Sequence, residues 1–180
     1  QLKNRDGGIQ FQGGDLPRLS TVVTWALFLD DLPILHQLLP SYQLRKEVKQ
    51  TREVGWVGGT AMFVRKKCWD EIGEFDEEIF MYGEDTELCY RAKKKGWKIM
   101  INPKISVVHL GKGSGGGKAG WVIGEVKGLL YLFSKHKPGW ELPLLKLILK
   151  LGMGARWFVF GILGGNEQLR KAYGEAYLLV

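Results

Sequence analysis

Nine carboxylate side chains lie between Cys68 and Tyr90, and no lysine or arginine separates them. A carboxylate can take a proton from a substrate hydroxyl or bind a divalent cation, so acid–base or metal chemistry is expected first in this stretch. Acids in turns and at helix starts are usually solvated, and we expect this of five of the nine. Those five are Asp70, Glu71, Glu74, Glu77 and Glu78.

Asp85 is the acid that the pattern sets apart. Asp85, Leu88, Cys89 and Ala92 recur at the spacing of one helix face, which predicts a helix over residues 84–95. Burying a carboxylate costs free energy, and proteins accept that cost more often for function than for stability. The alternative is that Asp85 only caps the start of the helix.

His109 is the second candidate for chemistry. Alternation of apolar residues predicts a strand over residues 104–110, with His109 near its end, and the glycine-rich residues 111–117 predict a mobile loop that could act as a lid. An accessible imidazole at this place suits a metal ligand or a diphosphate contact. The alternative is a structural histidine with satisfied hydrogen bonds.

The sequence also predicts the strands and helices that would position these residues. Residues 56–64 form an apolar run with two glycines, which predicts a buried strand, and residues 66–72 predict a short helix ended by Gly73. A further strand is expected over residues 97–102, and an amphipathic helix over residues 122–133. Residues 1–53 are expected to be irregular chain around one or two helices.

The charge of the chain is concentrated near its end. The whole chain carries 26 Lys and Arg against 19 Asp and Glu, and residues 118–180 hold nine of the basic and four of the acidic side chains. Long apolar runs accompany this excess, which favours an anionic membrane surface as partner and excludes a nucleic-acid groove with polar readers.

Residues 142–163 are the most apolar part of this region, and they include Lys146, Lys150 and Arg156 but no acid. Three cations in a spanning helix would each cost about 2.5 to 3.5 kcal/mol near the bilayer centre. We therefore expect the segment to lie in the membrane interface, with Trp140 and Trp157 at the headgroups. The alternative is that it packs back on the domain as a core helix pair.

The two cysteines, Cys68 and Cys89, have neither metal-ligand spacing nor a disulfide framework, so a reducing cytoplasm is expected. The length of 180 residues suits one folded domain. Because the chain begins with Gln1 rather than methionine, a fragment of a longer protein is expected.

Several motifs in a fixed order carry a family resemblance. They are Trp-Val-Gly-Gly-Thr-Ala-Met-Phe-Val-Arg at 56–65, the segment from Ile72 to Arg91 with Tyr-Gly-Glu-Asp at 82–85, Gly-Trp-Lys at 96–98, Pro103, and Val-His at 108–109. This series resembles the C-terminal half of the catalytic domain of family 2 glycosyltransferases, and in particular bacterial rhamnosyltransferase-like members.

The resemblance implies the C-terminal part of an α/β GT-A fold, the nucleotide-diphospho-sugar transferase fold. Residues 1–117 would be the acceptor-side part of the catalytic domain, and residues 118–180 a helical, membrane-facing tail. It also implies a nucleotide-sugar donor, a divalent metal (Mg²⁺ or Mn²⁺) and inversion at the anomeric carbon.

The resemblance assigns roles to individual residues. Asp85 would be the general base, Glu84 would help to position the acceptor, and His109 would be a metal ligand. Lys112 and Ser114 would reach the donor phosphates when the loop closes. Trp56, Gly59 and Tyr82 would line the sugar pocket, although Trp56 is equally expected to be plain core packing.

One expected feature of the family does not occur in this sequence. A complete enzyme carries an Asp-x-Asp triplet in an upstream nucleotide-binding half, and this chain has no such triplet. We expect the C-terminal portion of an inverting glycosyltransferase that makes cell-surface polysaccharide, inactive by itself, at the cytoplasmic face of the membrane. Its acceptor would be lipid-linked or a polysaccharide. The rival interpretation is a non-catalytic truncated module that binds a membrane surface or a partner protein.

Overall fold

The computed structural model describes residues 1–10, 13–29, 32, 38–43, 48–110 and 117–180, with only the backbone at 117–119. In chain order, the elements are β1 (Leu2–Lys3), β2 (Gly13–Gly14), α1 (Leu19–Ala26), β3 (Arg52–Val54), β4 (Trp56–Val57), a 3-10 turn (Gly59–Ala61), α2 (Lys66–Ile72), α3 (Glu84–Lys94), β5 (Ile99–Ile101), β6 (Val107–Val108), α4 (Gly117–His136), α5 (Glu141–Arg156), a π-helix (Trp157–Leu163) and α6 (Glu167–Leu179).

The described residues form two compact units. The first draws on Gln1–Leu16, Ser41–Phe80 and Glu84–Gly113, and the second on Pro17–Pro40, Met81–Gly83 and Ser114–Val180. The sequence predicted a single boundary at residue 117, whereas α1 lies with the C-terminal helices. The reason is a close approach of α1 to α5, where a Cβ on Gly152 would lie 2.6 Å from the Cβ of Ala26.

Short strands pair two by two in the first unit, as far as the chain is described. β1 runs parallel to β6, β2 is antiparallel to β4, and β3 is antiparallel to β5 with Val54 opposite Ile99. Val48, Val54 and Ile101 form a small buried cluster around the last pair. The two strands predicted over 97–102 and 104–110 are therefore present as the shorter β5 and β6.

The helices α2 and α3 confirm the helices predicted at 66–72 and 84–95. α2 ends at Gly73, whose φ of +81° a residue with a side chain adopts only with strain. α3 carries acids in its first turn and basic residues in its last, which suits the helix dipole. Leu88, Cys89 and Ala92 are buried as expected of the inner face.

The buried strand predicted over residues 56–64 is wrong beyond Val57. The chain leaves β4 for the 3-10 turn Gly59–Ala61, and Phe63 is 96% exposed. A strand needs a hydrogen-bonded neighbour, and among the described residues β2 supplies one only to Trp56 and Val57.

The second unit is a helical assembly with its own core. α4 confirms the amphipathic helix predicted over 122–133, since Val122, Val126, Leu129 and Phe133 are buried. α5 contributes Leu145, Leu149 and Met153, none of which has any exposed surface. One face of the apolar segment 142–163 is thus core, as the alternative interpretation expected.

Arg156 corrects the prediction that three cations of this segment face a membrane. Its side chain is 4% exposed, and its guanidinium lies 4.2 Å from the ring centre of Phe28 and 5.0 Å from that of Trp25. It also donates a hydrogen bond to the carbonyl of Trp25. Among the residues described, no helix is both long and apolar enough to cross a membrane.

Candidate functional site

The carboxylate of Asp85 lies at the start of α3, held by hydrogen bonds from two segments of the first unit. The backbone N–H of Gly59 donates to Oδ2 at 2.8 Å. The backbone N–H of Thr86 donates to Oδ1 at 2.7 Å, and the Thr86 hydroxyl reaches the same oxygen at 3.2 Å. The turn after β4 and the first turn of α3 therefore fix both oxygens of one half-buried acid.

Burial raises the pKa of the Asp85 carboxyl above its ordinary value, and the hydrogen bonds from Gly59 and Thr86 oppose that rise. A carboxylate with a raised pKa accepts a proton more readily than an exposed one. The arrangement is suited to general base catalysis, with the carboxylate fixed on a helix start.

The other predicted residues near Asp85 occupy different surroundings. Glu84 is the half-buried first residue of α3. Trp56 is buried at 8% exposure, and its Nε1–H donates to the carbonyl of Tyr42 at 2.9 Å. The core-packing alternative describes this position, and contact of Trp56 with a sugar stays a prediction.

Tyr82 belongs to the second unit, where it packs on α4. It has a φ of +67°, and a Cβ added to Gly124 would lie 2.3 Å from the Tyr82 ring, so only glycine leaves room for that ring. A Cβ added to the following Gly83 would lie 2.8 Å from the Cα of Gly128. These contacts hold Tyr82 and Gly83 against α4. A role for Tyr82 in a sugar pocket stays a prediction.

His109 follows β6 and is held by Gln10. The side-chain amide of Gln10 donates from Nε2 to the carbonyl of His109 at 2.7 Å, and its Oε1 lies 2.7 Å from His109 Nδ1. Because the carbonyl accepts only, Nε2 must face it, and Oε1 must accept from an Nδ1–H. Neutral His109 therefore carries its lone pair on Nε2, the form that can bind a metal or accept a hydrogen bond.

A divalent metal site does not assemble from the residues that the structure describes. Within them, no group of three or more His, Cys, Asp or Glu side chains could hold a metal ion. His109 offers one nitrogen ligand, and its assignment as a metal ligand stays a prediction. Lys112 and Ser114 lie outside the described residues, as do residues 111–116 of the loop predicted over 111–117.

A cavity of about 450 Å³ lies in the first unit, and Asp85 is not among the residues that line it. Its lining is mostly apolar and comes from residues 57–65 together with α2, α3 and β5, and both cysteines line it. Burial raises the pKa of the Cys89 thiol to about 12, so a nucleophilic thiolate is not formed near neutral pH. Both cysteines are free.

Three features of the site escaped the sequence analysis. Thr86 and Gln10 act through hydrogen bonds that depend on the fold. Glu87 is fully buried and pairs with Arg91 at 2.8 Å, and Arg91 also donates to the carbonyls of Ile72 and Glu74. The spacing of Glu87 and Arg91, four residues apart on a helix, was the signal for this pair.

Comparison with known proteins adds a family match. The model of the family described as "Glycosyltransferase like family 2" matches residues 12–115. The mixture of helices and strands is consistent with a GT-A-like domain. No solved structure matches the chain.

Curated relatives include two rhamnosyltransferases. The chain is 31% identical over 106 residues to the N-acetylglucosaminyl-diphospho-decaprenol L-rhamnosyltransferase of Mycobacterium tuberculosis. These 106 residues are 58% of this chain and 34% of that protein. It is 27% identical over 85 residues to the rhamnosyltransferase WbbL of Escherichia coli, 43% of this chain and 32% of that protein. A hexosyltransferase of Haloferax volcanii, Agl10, is 31% identical over 51 residues, 28% of this chain and 17% of that protein. The matched stretch thus spans between 17% and 34% of the length of these relatives.

Proposed function

The chain belongs to glycosyltransferase-like family 2, and we propose that it carries the acceptor side of an inverting enzyme with Asp85 as general base. The donor is a nucleotide sugar, and the sugar is a rhamnose or another hexose. The acceptor is a lipid-linked saccharide or a growing polysaccharide. The names of the curated relatives, one of which acts on a decaprenol-linked saccharide, support this choice.

The observation that carries the proposal is the Asp85 carboxylate fixed at a helix start by Gly59 and Thr86. In a single displacement, the acceptor hydroxyl gives its proton to Asp85 while its oxygen bonds to the anomeric carbon. The bond between that carbon and the donor diphosphate breaks, and the diphosphate leaves with the electron pair. Attack from the face opposite the leaving group inverts the anomeric centre.

The need to position the carboxylate accurately explains why the proposed base lies at the start of α3. General base catalysis needs the carboxylate within hydrogen-bond reach of the attacking hydroxyl, and small misplacements lose much of the rate. The Gly59 and Thr86 hydrogen bonds restrict the rotation of the carboxylate, and Glu84 would orient the acceptor beside it. Because the described residues do not form a metal site, no step here depends on one, although enzymes of this family commonly use a divalent metal.

The proposal also includes a location. A lipid-linked acceptor is embedded in a membrane, so the enzyme would work as a peripheral protein at the cytoplasmic face of the cell membrane. The two free cysteines fit a reducing compartment.

The test is the Asp85→Asn variant of the full-length protein that contains this chain. The amide keeps the size of the side chain but cannot take a proton, so transfer from a nucleotide sugar should fall roughly 10²- to 10⁴-fold. Donor binding and the circular dichroism spectrum should stay unchanged. Glu77→Gln, an exposed acid of the same acid-rich stretch, is the matched control and should transfer normally. Unchanged turnover in Asp85→Asn would refute the assignment of the base.

A further inference from the structure

Helix α5 carries two apolar faces, and only one of them is buried. Leu145, Leu149 and Met153 point into the core of the second unit. Leu144, Leu147 and Leu151 recur at three- and four-residue spacing on a different face, where they are 44%, 57% and 58% exposed. A helix that served only this core would be expected to have polar residues at those positions.

The exposed face extends beyond both ends of α5. Trp140, which precedes the helix, is 63% exposed, and the π-helix adds Phe158 at 50% and Leu163 at 70%. We call Trp140, Leu144, Leu147, Leu151 and Phe158 the apolar stripe. Single exposed apolar residues are ordinary, but a continuous row of this kind marks an interaction surface.

Two cations flank the apolar stripe. Lys146 and Lys150 are exposed and lie one turn apart on the side of α5 between the stripe and the core face. The Nζ of Lys150 lies 5.1 Å from the ring centre of Tyr177 on α6. From residue 142 to residue 163 the sequence has no acid, so the surroundings of the stripe on this segment are positive.

This combination selects one kind of partner. An apolar row flanked by lysines matches a partner with an apolar interior and a negatively charged outer layer. The lysine side chains are long enough to place their ammonium groups in that outer layer while the apolar row lies deeper. Tryptophan at the end of the row suits the depth of lipid headgroups. No helix among the described residues is long and apolar enough to cross a bilayer, so the stripe would lie along the surface.

We propose that the apolar stripe of α5 binds the surface of an anionic lipid bilayer, with Lys146 and Lys150 at the lipid phosphates and Leu144, Leu147 and Leu151 among the upper acyl chains. Arg156 takes no part because it is buried in the core. This inference does not depend on glycosyl transfer, since it concerns a surface away from Asp85 in the chain and its test measures binding alone.

The test is co-sedimentation of the 180-residue chain with phosphatidylcholine vesicles, with and without phosphatidylglycerol. We expect binding to the anionic vesicles, weakened by salt, and little binding to the neutral ones. Each interfacial lysine contributes about fivefold, so the double variant Lys146→Gln/Lys150→Gln should bind roughly 30-fold more weakly. Lys67→Gln/Lys104→Gln removes the same charge from exposed positions elsewhere and should bind as the unchanged chain does.

A second pair of variants separates the apolar contribution from the charge. Leu147→Asn/Leu151→Asn should lose most binding at low and high salt while keeping its helical circular dichroism, because neither leucine is in the core. Leu178→Asn, at an 83% exposed position of α6, should keep binding. Absence of binding to both vesicle types, equal binding to both, or equal losses in the control variants would each overturn the proposal.

Discussion

Asp85 is held between two opposing influences on its proton affinity. Burial raises the pKa of its carboxyl, and the hydrogen bonds from Gly59 and Thr86 favour the ionised form. The folded chain therefore binds this proton more tightly than the unfolded chain does. The contribution of Asp85 favours folding at acid pH and declines as pH rises through the unfolded and then the folded pKa.

The same balance predicts the pH dependence of transfer. Activity should rise with pH as Asp85 ionises, with a midpoint above the ordinary pKa of an aspartate because burial raises the pKa of this carboxyl. In the full-length protein, Thr86→Val should move this midpoint upward, because it removes the hydroxyl that donates to Oδ1 at 3.2 Å. Thr86→Ser keeps a hydroxyl and should leave the midpoint close to its original place. A midpoint that does not move in Thr86→Val, read from the pH profile of kcat/KM, would contradict this account.

At the scale of elements, the pair Glu87 and Arg91 joins α3 to the end of α2. Glu87 has no exposed surface, and Arg91 donates both to it and to the carbonyls of Ile72 and Glu74. The pair fixes the helix that carries Asp85 against the chain that follows α2. Its contribution is expected to be structural, since neither side chain contacts the Asp85 carboxylate.

Arg91→Met tests this contribution. Removing the cation from a buried carboxylate should lower the free energy of unfolding by about 3 kcal/mol, the lower end for buried pairs because the Arg91 side chain is 21% exposed. Lys66→Met breaks an exposed pair of the same spacing, Lys66 with Asp70, and should cost less than about 1 kcal/mol. Urea unfolding of both variants measures the difference, and equal losses would mean that the burial of Glu87 is not what matters.

Sequence pattern predicted elements where local signals agree. The helices α2, α3 and α4 were predicted because apolar spacing, charged ends and stop residues coincide along a single segment. The strand over residues 56–64 was predicted too long because strand formation depends on a neighbour elsewhere in the chain, and beyond Val57 none is present in the described part. The close approach of α1 to α5 was not predicted for a similar reason, since it brings together segments far apart in the sequence.

For the candidate site too, the sequence predicted what depends on local pattern and missed what depends on contacts between distant segments. Asp85 was identified because its position on the helix face is a local property. The donors that hold it, Gly59 N–H and Thr86, and the orientation of His109 by Gln10 arise from contacts between distant segments. The burial of Glu87 was missed because the helix pattern alone does not show what packs on each face of α3.

At the scale of the whole molecule, the two units have cores of different kinds. In the second unit, long helices bury Leu145, Leu149 and Met153 completely. In the first, strands of two or three residues surround a small cluster of Val48, Val54 and Ile101. Short two-stranded pairs are marginally stable by themselves, whereas a packed helical core opens only at high cost in free energy.

Hydrogen exchange of the 180-residue chain should therefore be uneven. Amides of α4 and α5 should exchange more slowly than those of β3 and β5, because exchange of core helices requires opening of the whole unit. Leu149→Ala should speed exchange along α5 by lowering the opening free energy by about 2 to 5 kcal/mol, since it leaves a cavity at a fully buried position. Leu147 lies on the exposed face of the same helix and is 57% exposed, so Leu147→Ala should change the opening free energy by less than about 0.5 kcal/mol. Equal protection of β3 and α5, or equal effects of the two leucine variants, would show that the helical core is not the more stable part of this chain.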